Sequence, residues 1–215
     1  MGKIGSLPDM TGKNGTAKHR TATGAADLLA RRITRCFSPP VLPVAAGCVV
    51  SWHATWPRPA GLVWGLTAVV CGAVGVLVMA FGVRRGWVSD LDVSRRAERP
   101  LPLACASAGA ALVWLVCRHL GAPRELLAPA ALAPAGGAAF LLCTRFGKVS
   151  LHTCAAAGSV VLLALRVAPL CALLAPVPAA VGWSRVRLGA HTRAQVWAGA
   201  LLGGGLTAVV LVIAG

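Results

Sequence analysis

Long apolar segments alternate with short polar ones from residue 41 to the end of the chain. A helix needs about 20 mainly apolar residues to cross the hydrocarbon core of a bilayer, and fewer where the bilayer is thinned. The pattern therefore predicts an all-α, polytopic transmembrane bundle of six to seven helices. The predicted spans are residues 41–56, 61–83, 101–119, 125–143, 153–165, 167–183 and 195–214.

The sixth of these segments is the least regular, because Pro169, Pro176 and Pro178 interrupt it. Residues 41–56 and 153–165 are short for a span, so six crossings with one re-entrant or surface segment stay an open alternative to seven. Ala and Gly fill all of these segments. Small residues let helix backbones approach closely, so we expect a tight bundle.

Composition supports a membrane protein and argues against one that binds nucleic acid. Hydrophobic residues make up 57% of the chain and charged residues 13%, and the mean hydropathy is +0.73. The net charge of +15 sits in a tail and in short loops, where it favours anionic lipid headgroups or phosphorylated substrates. Tyr is absent and Phe is scarce, so platforms for stacking bases are missing. The Cys residues form no CxxC pair, and we expect no metal or other cofactor.

The chain divides into a basic tail, residues 1–37, and a transmembrane domain, residues 38–215. No cleavable signal sequence precedes the first apolar run, and the start of the tail is expected to be disordered. Residues 25–36 have the pattern of a basic amphipathic helix that lies on the membrane surface.

Lys and Arg are divided unequally between the two ends of the predicted bundle. The loops at residues 84–100, 144–152 and 184–193 hold ten of them, the tail adds seven, and the other end has four. Two apolar crossings separate each of these loops from the next, so all three are expected at one membrane face. The positive-inside rule places that face in the cytoplasm, at an inner or plasma membrane, although a re-entrant first segment would reverse this assignment.

The first two loops contain residues suited to binding an anion. Arg95 and Arg99 are four residues apart, so on a helical turn both guanidinium groups would point the same way and grip one phosphate. The alternative is a basic anchor cluster paired with its own acids. In the second loop Ser150 is predicted to cap the next helix, whose free amides and dipole favour an anion, and Lys148 and His152 lie beside it.

The third loop has His191 and Gln195 four residues apart at the start of the last helix. The two side chains then share a helical face, and the amide can orient the imidazole ring. An oriented imidazole can act as a nucleophile. A structural role without chemistry is the alternative for His191, as it is for His152.

In order along the chain, these residues resemble the three motifs of the type 2 phosphatidic acid phosphatase (PAP2) superfamily. The motifs read Lys-x6-Arg-Pro, Pro-Ser-Gly-His and Ser-Arg-x5-His-x3-Asp. The resemblance covers residues 89–203, and its third motif is the most specific part. The matching residues are Arg99 and Pro100, then Ser150 and His152, then Ser184, Arg185 and His191.

The resemblance implies a helical membrane phosphatase in which each of three residues has a distinct role. His191 would attack phosphorus to give a phosphohistidine, His152 would protonate the leaving group, and Gln195 would orient the nucleophile. The residues expected to bind phosphate are Arg95, Arg96, Arg99, Lys148, Ser150, Ser184 and Arg185.

The sequence also departs from the family motifs. Asp92 stands at the position of the first-motif Lys, so Arg95, Arg96 or Lys148 would have to supply that cation. Two apolar residues replace the Pro and Gly of the second motif. Gln195 stands at the Asp position, and an amide does not stabilise an imidazolium by charge. Replacing the Asp of a serine-protease triad by Asn lowers turnover by about 10⁴-fold, so weak turnover or none is expected.

Three functions follow as alternatives. The first is a metal-independent phosphatase or diphosphatase that acts on an isoprenoid (di)phosphate or a phosphatidyl phosphate. The second is a PAP2-like protein that binds a phosphorylated lipid with little or no turnover. The third is a prenyl-diphosphate-dependent transferase of the UbiA type, suggested by Asp90-x-Asp92 ahead of Arg99, although few carboxylates follow to hold magnesium. The oligomeric state stays open.

Overall fold

A computed structural model describes residues 24–90 and 95–214, apart from the side chains of Arg96 and Ala214. Within this part of the chain every regular element is helical, which confirms the predicted all-α class. Two short 3₁₀ turns, Arg96–Glu98 and Pro169–Leu174, accompany the α-helices. The α-helices are α1 (Ala25–Cys36), α2 (Val41–Thr55), α3 (Ala60–Arg84), α4 (Pro100–His119), α5 (Arg124–Phe146), α6 (Leu151–Arg166), α7 (Pro176–Arg187) and α8 (Arg193–Ala214).

Five segments of the described chain are long and apolar enough to cross a membrane. They are α3, α4, α5, α8 and the segment Pro169–Arg187, which joins the second 3₁₀ turn to α7. Helices α1 and α2 pass the same test only when they are taken together, across a bend of 46° between them, so the described chain has up to six crossings. Helix α6 has 16 residues and is about 24 Å long, shorter than a typical hydrocarbon core of about 30 Å. The prediction of a polytopic membrane protein is confirmed.

Prolines explain the irregular segment before α7. Pro169 begins the 3₁₀ turn and Pro176 begins α7, and in the first turn of a helix the missing N–H costs no hydrogen bond. The helix then continues to Arg187, so residues 184–187, which we expected in a loop, form its last turn. The expected second loop is shorter as well, because α5 extends to Phe146.

Helices α6 and α8 are in backbone contact, as their small residues predict. Gly199 and Gly203, four residues apart on α8, face α6. A Cβ atom on Gly199 would overlap the carbonyl oxygen of Ser150, and one on Gly203 would overlap the carbonyl oxygen of Cys154. The close approach brings the N-terminus of α6 beside the N-terminus of α8.

Candidate functional site

Hydrogen bonds join the three polar loops at one end of the bundle. The Arg99 guanidinium donates to the carbonyl oxygen of Val149 (Nη1···O 3.2 Å), which connects the first loop to the second. The Lys148 ammonium donates to the carbonyl oxygen of Ala190 (2.9 Å), which connects the second loop to the third. The Ser150 N–H also donates to the carbonyl oxygen of Gln195 (3.2 Å). The first, second and third loops are therefore in direct contact with one another.

Arg99 is a buried cation at the start of α4. Only 5% of it is exposed, and Pro100 follows it as the first residue of the helix. Its guanidinium carbon lies 5.8 Å from the centre of the Phe140 ring, within the range of a cation–π contact. A charge held among apolar groups interacts strongly with an anion, because little water screens it.

The second motif is built around the N-terminus of α6. Ser150 is fully buried and is the N-cap, with its Oγ accepting from the Thr153 N–H (3.5 Å), which confirms the predicted cap. His152 lies in the first helical turn and is buried as well. The free N–H groups and the dipole at this end favour negative charge, so an anion here would meet the imidazole of His152.

The third motif follows from the way α7 ends. Gly189 adopts a positive φ of 68°, which favours glycine, and its N–H donates to the carbonyl oxygen of Val186. The N–H groups of Ala190 and His191 both donate to the carbonyl oxygen of Arg185 (3.0 and 3.2 Å). This Schellman-type ending turns the chain back over the last turn of α7 and holds the backbone of His191 against that of Arg185.

Gln195 fixes both the start of α8 and the ring of His191. Its N–H donates to Thr192 Oγ1 (3.3 Å), and its side-chain Oε1 accepts from the Thr192 N–H (3.2 Å), which together form a capping box. Because a backbone N–H can donate only to the amide oxygen, the orientation of the amide is determined. The same Oε1 lies 3.1 Å from His191 Nδ1. Nδ1 therefore carries the proton, and Nε2 keeps its lone pair.

Burial and neighbouring cations keep this imidazole neutral. Desolvation lowers the pKa of His191 to about 4, with further contributions from Lys148, Arg185 and Arg99, and the hydrogen bond with Gln195 opposes them in part. His191 is 8% exposed. At neutral pH the ring is an unprotonated base among three cations, which suits attack on an anionic phosphorus centre.

Arg95 does not join this group, which corrects the expectation that it points the same way as Arg99. Its side chain is 75% exposed and pairs with Glu98 (Nη1···Oε1 3.4 Å). The physical reason is the 3₁₀ turn at residues 96–98, which separates the two arginines before α4 begins. The side chain of Arg96 and the whole of Asp92 lie outside the described residues.

Ser184 makes its side-chain hydrogen bonds with α7 and α1. Its hydroxyl is fully buried and donates to the carbonyl oxygen of Val181 (2.7 Å), so its one proton is used within α7. The hydroxyl of Thr34 on α1 lies 3.0 Å from Ser184 Oγ. Sequence reasoning did not find this contact, because 150 residues separate the two side chains. The Thr-x-x-Gln signature of the capping box, in contrast, was visible in the sequence.

An apolar cavity of about 650 Å³ opens within the bundle next to the site. Most of its lining comes from apolar residues of α2 to α6 and α8, among them Leu103 and Phe140. Arg99 and His152 also line it. The apolar cavity therefore contains a buried cation and an imidazole in its wall.

Comparison with known proteins agrees with the motifs. The model of the PAP2 superfamily matches residues 125–215, which contain the second and third motifs. Among curated proteins and among solved structures, none matches the chain. The matched region supports a phosphatase-type activity and a phospholipid-type substrate. The resemblance predicted from the motifs is thus confirmed over residues 125–215, where this membrane protein matches the PAP2 superfamily.

Proposed function

We propose that this protein hydrolyses a phosphorylated membrane lipid, either an isoprenoid (di)phosphate or a phosphatidyl phosphate, through a phosphohistidine at His191. The observation that carries the proposal is the neutral imidazole of His191, held in one tautomer by Gln195 and surrounded by Lys148, Arg185 and Arg99. A nucleophile needs a free lone pair, and a phosphate needs cations to spread its charge. Both requirements meet at this ring.

In the first half of the reaction, the Nε2 lone pair of His191 forms a bond to phosphorus. The bond from phosphorus to the lipid oxygen breaks, and His152 donates a proton to that oxygen. In the second half, neutral His152 takes a proton from water as the water attacks the phosphohistidine. Inorganic phosphate leaves, and both imidazoles return to their starting states.

The cations and the helix terminus stabilise the charge that develops on the phosphoryl oxygens. Arg99, Lys148 and Arg185 supply positive charge, and the free N–H groups at the start of α6, next to Ser150, supply fixed dipoles. Ser184 contributes by supporting the last turn of α7. Arg95 is exposed and paired with Glu98, so the proposed mechanism gives it no direct role.

The apolar cavity supports a lipid as the substrate. A hydrocarbon chain inside it would lie against carbon atoms, while the phosphate at its end would meet Arg99 and His152. Burial of apolar surface contributes roughly 25 cal/mol per Å², so a long chain adds substantial binding energy remote from the reacting bond. By the distribution of charge, we propose that this face of a cell membrane is the cytoplasmic one.

Gln195 favours one second candidate, a protein that binds a lipid phosphate without turning it over. An amide keeps the ring oriented but gives no charge to balance the imidazolium-like nitrogen that forms on attack. The phosphate-binding cations would remain. Headgroup binding without phosphate release from any lipid would select this function.

A phosphate-release screen on purified protein in nanodiscs tests the proposal. Isoprenoid mono- and diphosphates and phosphatidic acid are offered as substrates, with and without a metal chelator. We expect chelator-resistant release that is abolished by His191→Ala and strongly slowed by His152→Ala. His119→Ala is the matched control, because His119 is exposed at the opposite end of α4 from Arg99. Release that survives His191→Ala would reject the assignment, and strict magnesium dependence would favour the transferase alternative.

A further inference from the structure

Helix α1 packs against the last turn of α7, where the third motif begins. Asp27 accepts from the Arg187 guanidinium (Oδ1···Nε 2.7 Å), and Thr34 Oγ1 lies 3.0 Å from Ser184 Oγ. Ala30, between them on the helix, is fully buried. The spacings of three and four residues put all three on one face of α1. That face of α1 packs against α7.

The direction of the hydroxyl contact follows from proton counting. Ser184 has one hydroxyl proton and donates it to the carbonyl oxygen of Val181, so Thr34 must be the donor to Ser184. The residue after Ser184 is Arg185, whose carbonyl oxygen accepts the N–H of His191. Helix α1 thus supports the stretch of backbone that carries both Arg185 and His191.

The remaining surface of α1 carries three exposed arginines on one side and apolar residues on the other, with Leu28 exposed among the arginines. Arg31, Arg32 and Arg35 are exposed and fall within an arc of about 100°. Leu29, with half of its surface exposed, lies beside Ile33 on the other side. The chain passes from α1 into the apolar helix α2 within a few residues, at a bend of 46°, and a basic helix joined in this way to an apolar one is suited to the membrane surface.

We propose that anionic lipid headgroups bind the arginines of α1, and that α1 thereby holds the last turn of α7 and the backbone of the third motif in place. Thr34 is the positioning residue in this arrangement, acting through Ser184. Lipid phosphates are anionic and accept hydrogen bonds from arginine side chains. The apolar side of α1 keeps the helix at the depth of the lipid headgroups. The order of the site then depends on the charge of the surrounding membrane.

Hydrogen exchange of the full-length protein in nanodiscs tests this directly. Nanodiscs of phosphatidylcholine alone are compared with nanodiscs that also contain phosphatidylglycerol, and exchange is followed in the peptide that covers residues 184–191. Each arginine near an anionic surface favours docking by roughly fivefold, so we expect exchange at least about tenfold slower in the anionic membrane. Equal exchange in the two membranes would overturn the proposal.

Three matched variants separate charge from other effects. Arg31→Gln/Arg32→Gln/Arg35→Gln should abolish the difference between the membranes, and the corresponding triple Lys variant should retain it. Arg84→Gln/Arg85→Gln removes two exposed cations at the same end of the bundle and should also leave it intact. A triple Gln variant that keeps the full difference would refute a role for α1.

The contact of Thr34 has its own pair of variants. Thr34→Val removes the donor without changing the shape of the side chain, and should speed exchange at residues 184–191 in both membranes. Thr34→Ser keeps the donor and should behave like the wild type. Equal exchange in the two variants would show that the hydroxyl has no positioning role. Because exchange needs no turnover, these results stand apart from those on phosphate release.

Discussion

The substitution Gln195→Glu tests the effect of a negative charge beside His191, which the native amide does not provide. Glutamate has the length of glutamine, so its carboxylate replaces Oε1 at 3.1 Å from His191 Nδ1 and still accepts from the Thr192 N–H. Glu is also the usual partner in a capping box, so the start of α8 should be kept. The variant therefore changes the charge beside the ring and little of its geometry.

The magnitude follows from the distance. At an effective dielectric constant of about 20, opposite unit charges at this separation attract by roughly 5 kcal/mol. The hydrogen bond to the Gln195 oxygen already supplies part of this attraction, which leaves about 2–3 kcal/mol for the added charge, or about 2 pKa units. We expect the pKa of His191 to rise from about 4 to about 6. Stabilising the imidazolium-like nitrogen by this amount should accelerate phosphate release by about 10- to 100-fold.

The gain should be smaller than the 10⁴-fold effect of a triad Asp-to-Asn change. Much of that effect arises from the wrong imidazole tautomer, whereas here the Thr192 N–H already holds the Gln195 oxygen toward His191. The Gln195→Glu variant restores only the negative charge that is missing beside His191.

Two measurements check this reasoning. Nitrogen NMR of His-labelled protein in nanodiscs gives the pKa of His191, and phosphate release gives the rate. Thr192→Ala is the control, since it weakens the cap of α8, at a cost of about 1 kcal/mol, without adding charge. A ring that still titrates near 4 in the variant would refute the contact with residue 195. A raised pKa with no change in rate would show that His191 is not the reacting group.

The remaining predictions concern three other features of the structure. Lys148→Met keeps the bulk of the side chain but removes both its charge and its bond to Ala190, so we expect phosphate release to fall about 10- to 100-fold, with the protein still folded by circular dichroism. Gly203→Ala should lower the free energy of unfolding by about 1–3 kcal/mol in a denaturant titration, because the new Cβ overlaps the backbone of Cys154, whereas Gly205→Ala, with open space around it, should not. The acid limb of the activity should lie near pH 4 rather than near 6.5, because the pKa of His191 is lowered. As the pH falls, the His191 ring is protonated in the unfolded chain before it is protonated in the folded protein. The free energy of unfolding should therefore fall by up to about 3 kcal/mol between about pH 6.5 and about pH 4, and His191→Gln should remove this pH dependence.

The sequence was sufficient for the features that depend on local composition. Each predicted span contains helical structure, and Ser150 caps α6 as expected, because caps and apolar runs act over a few residues. In lipid, every backbone N–H and C=O must bond within the chain, so an apolar run has few alternatives to a helix. The fixed number of crossings between the polar loops also predicted that they meet at one end.

Tertiary structure alone decided how individual polar side chains are used. Arg95 and Arg99 are four residues apart, yet one is exposed beside Glu98 and the other is buried over Phe140. The contact between Thr34 and Ser184, and the joint effect of three loops on His191, join residues that are far apart in the chain. Burial and charge depend on what packs around a group in space. Periodicity along the chain records only its neighbours on the same helix.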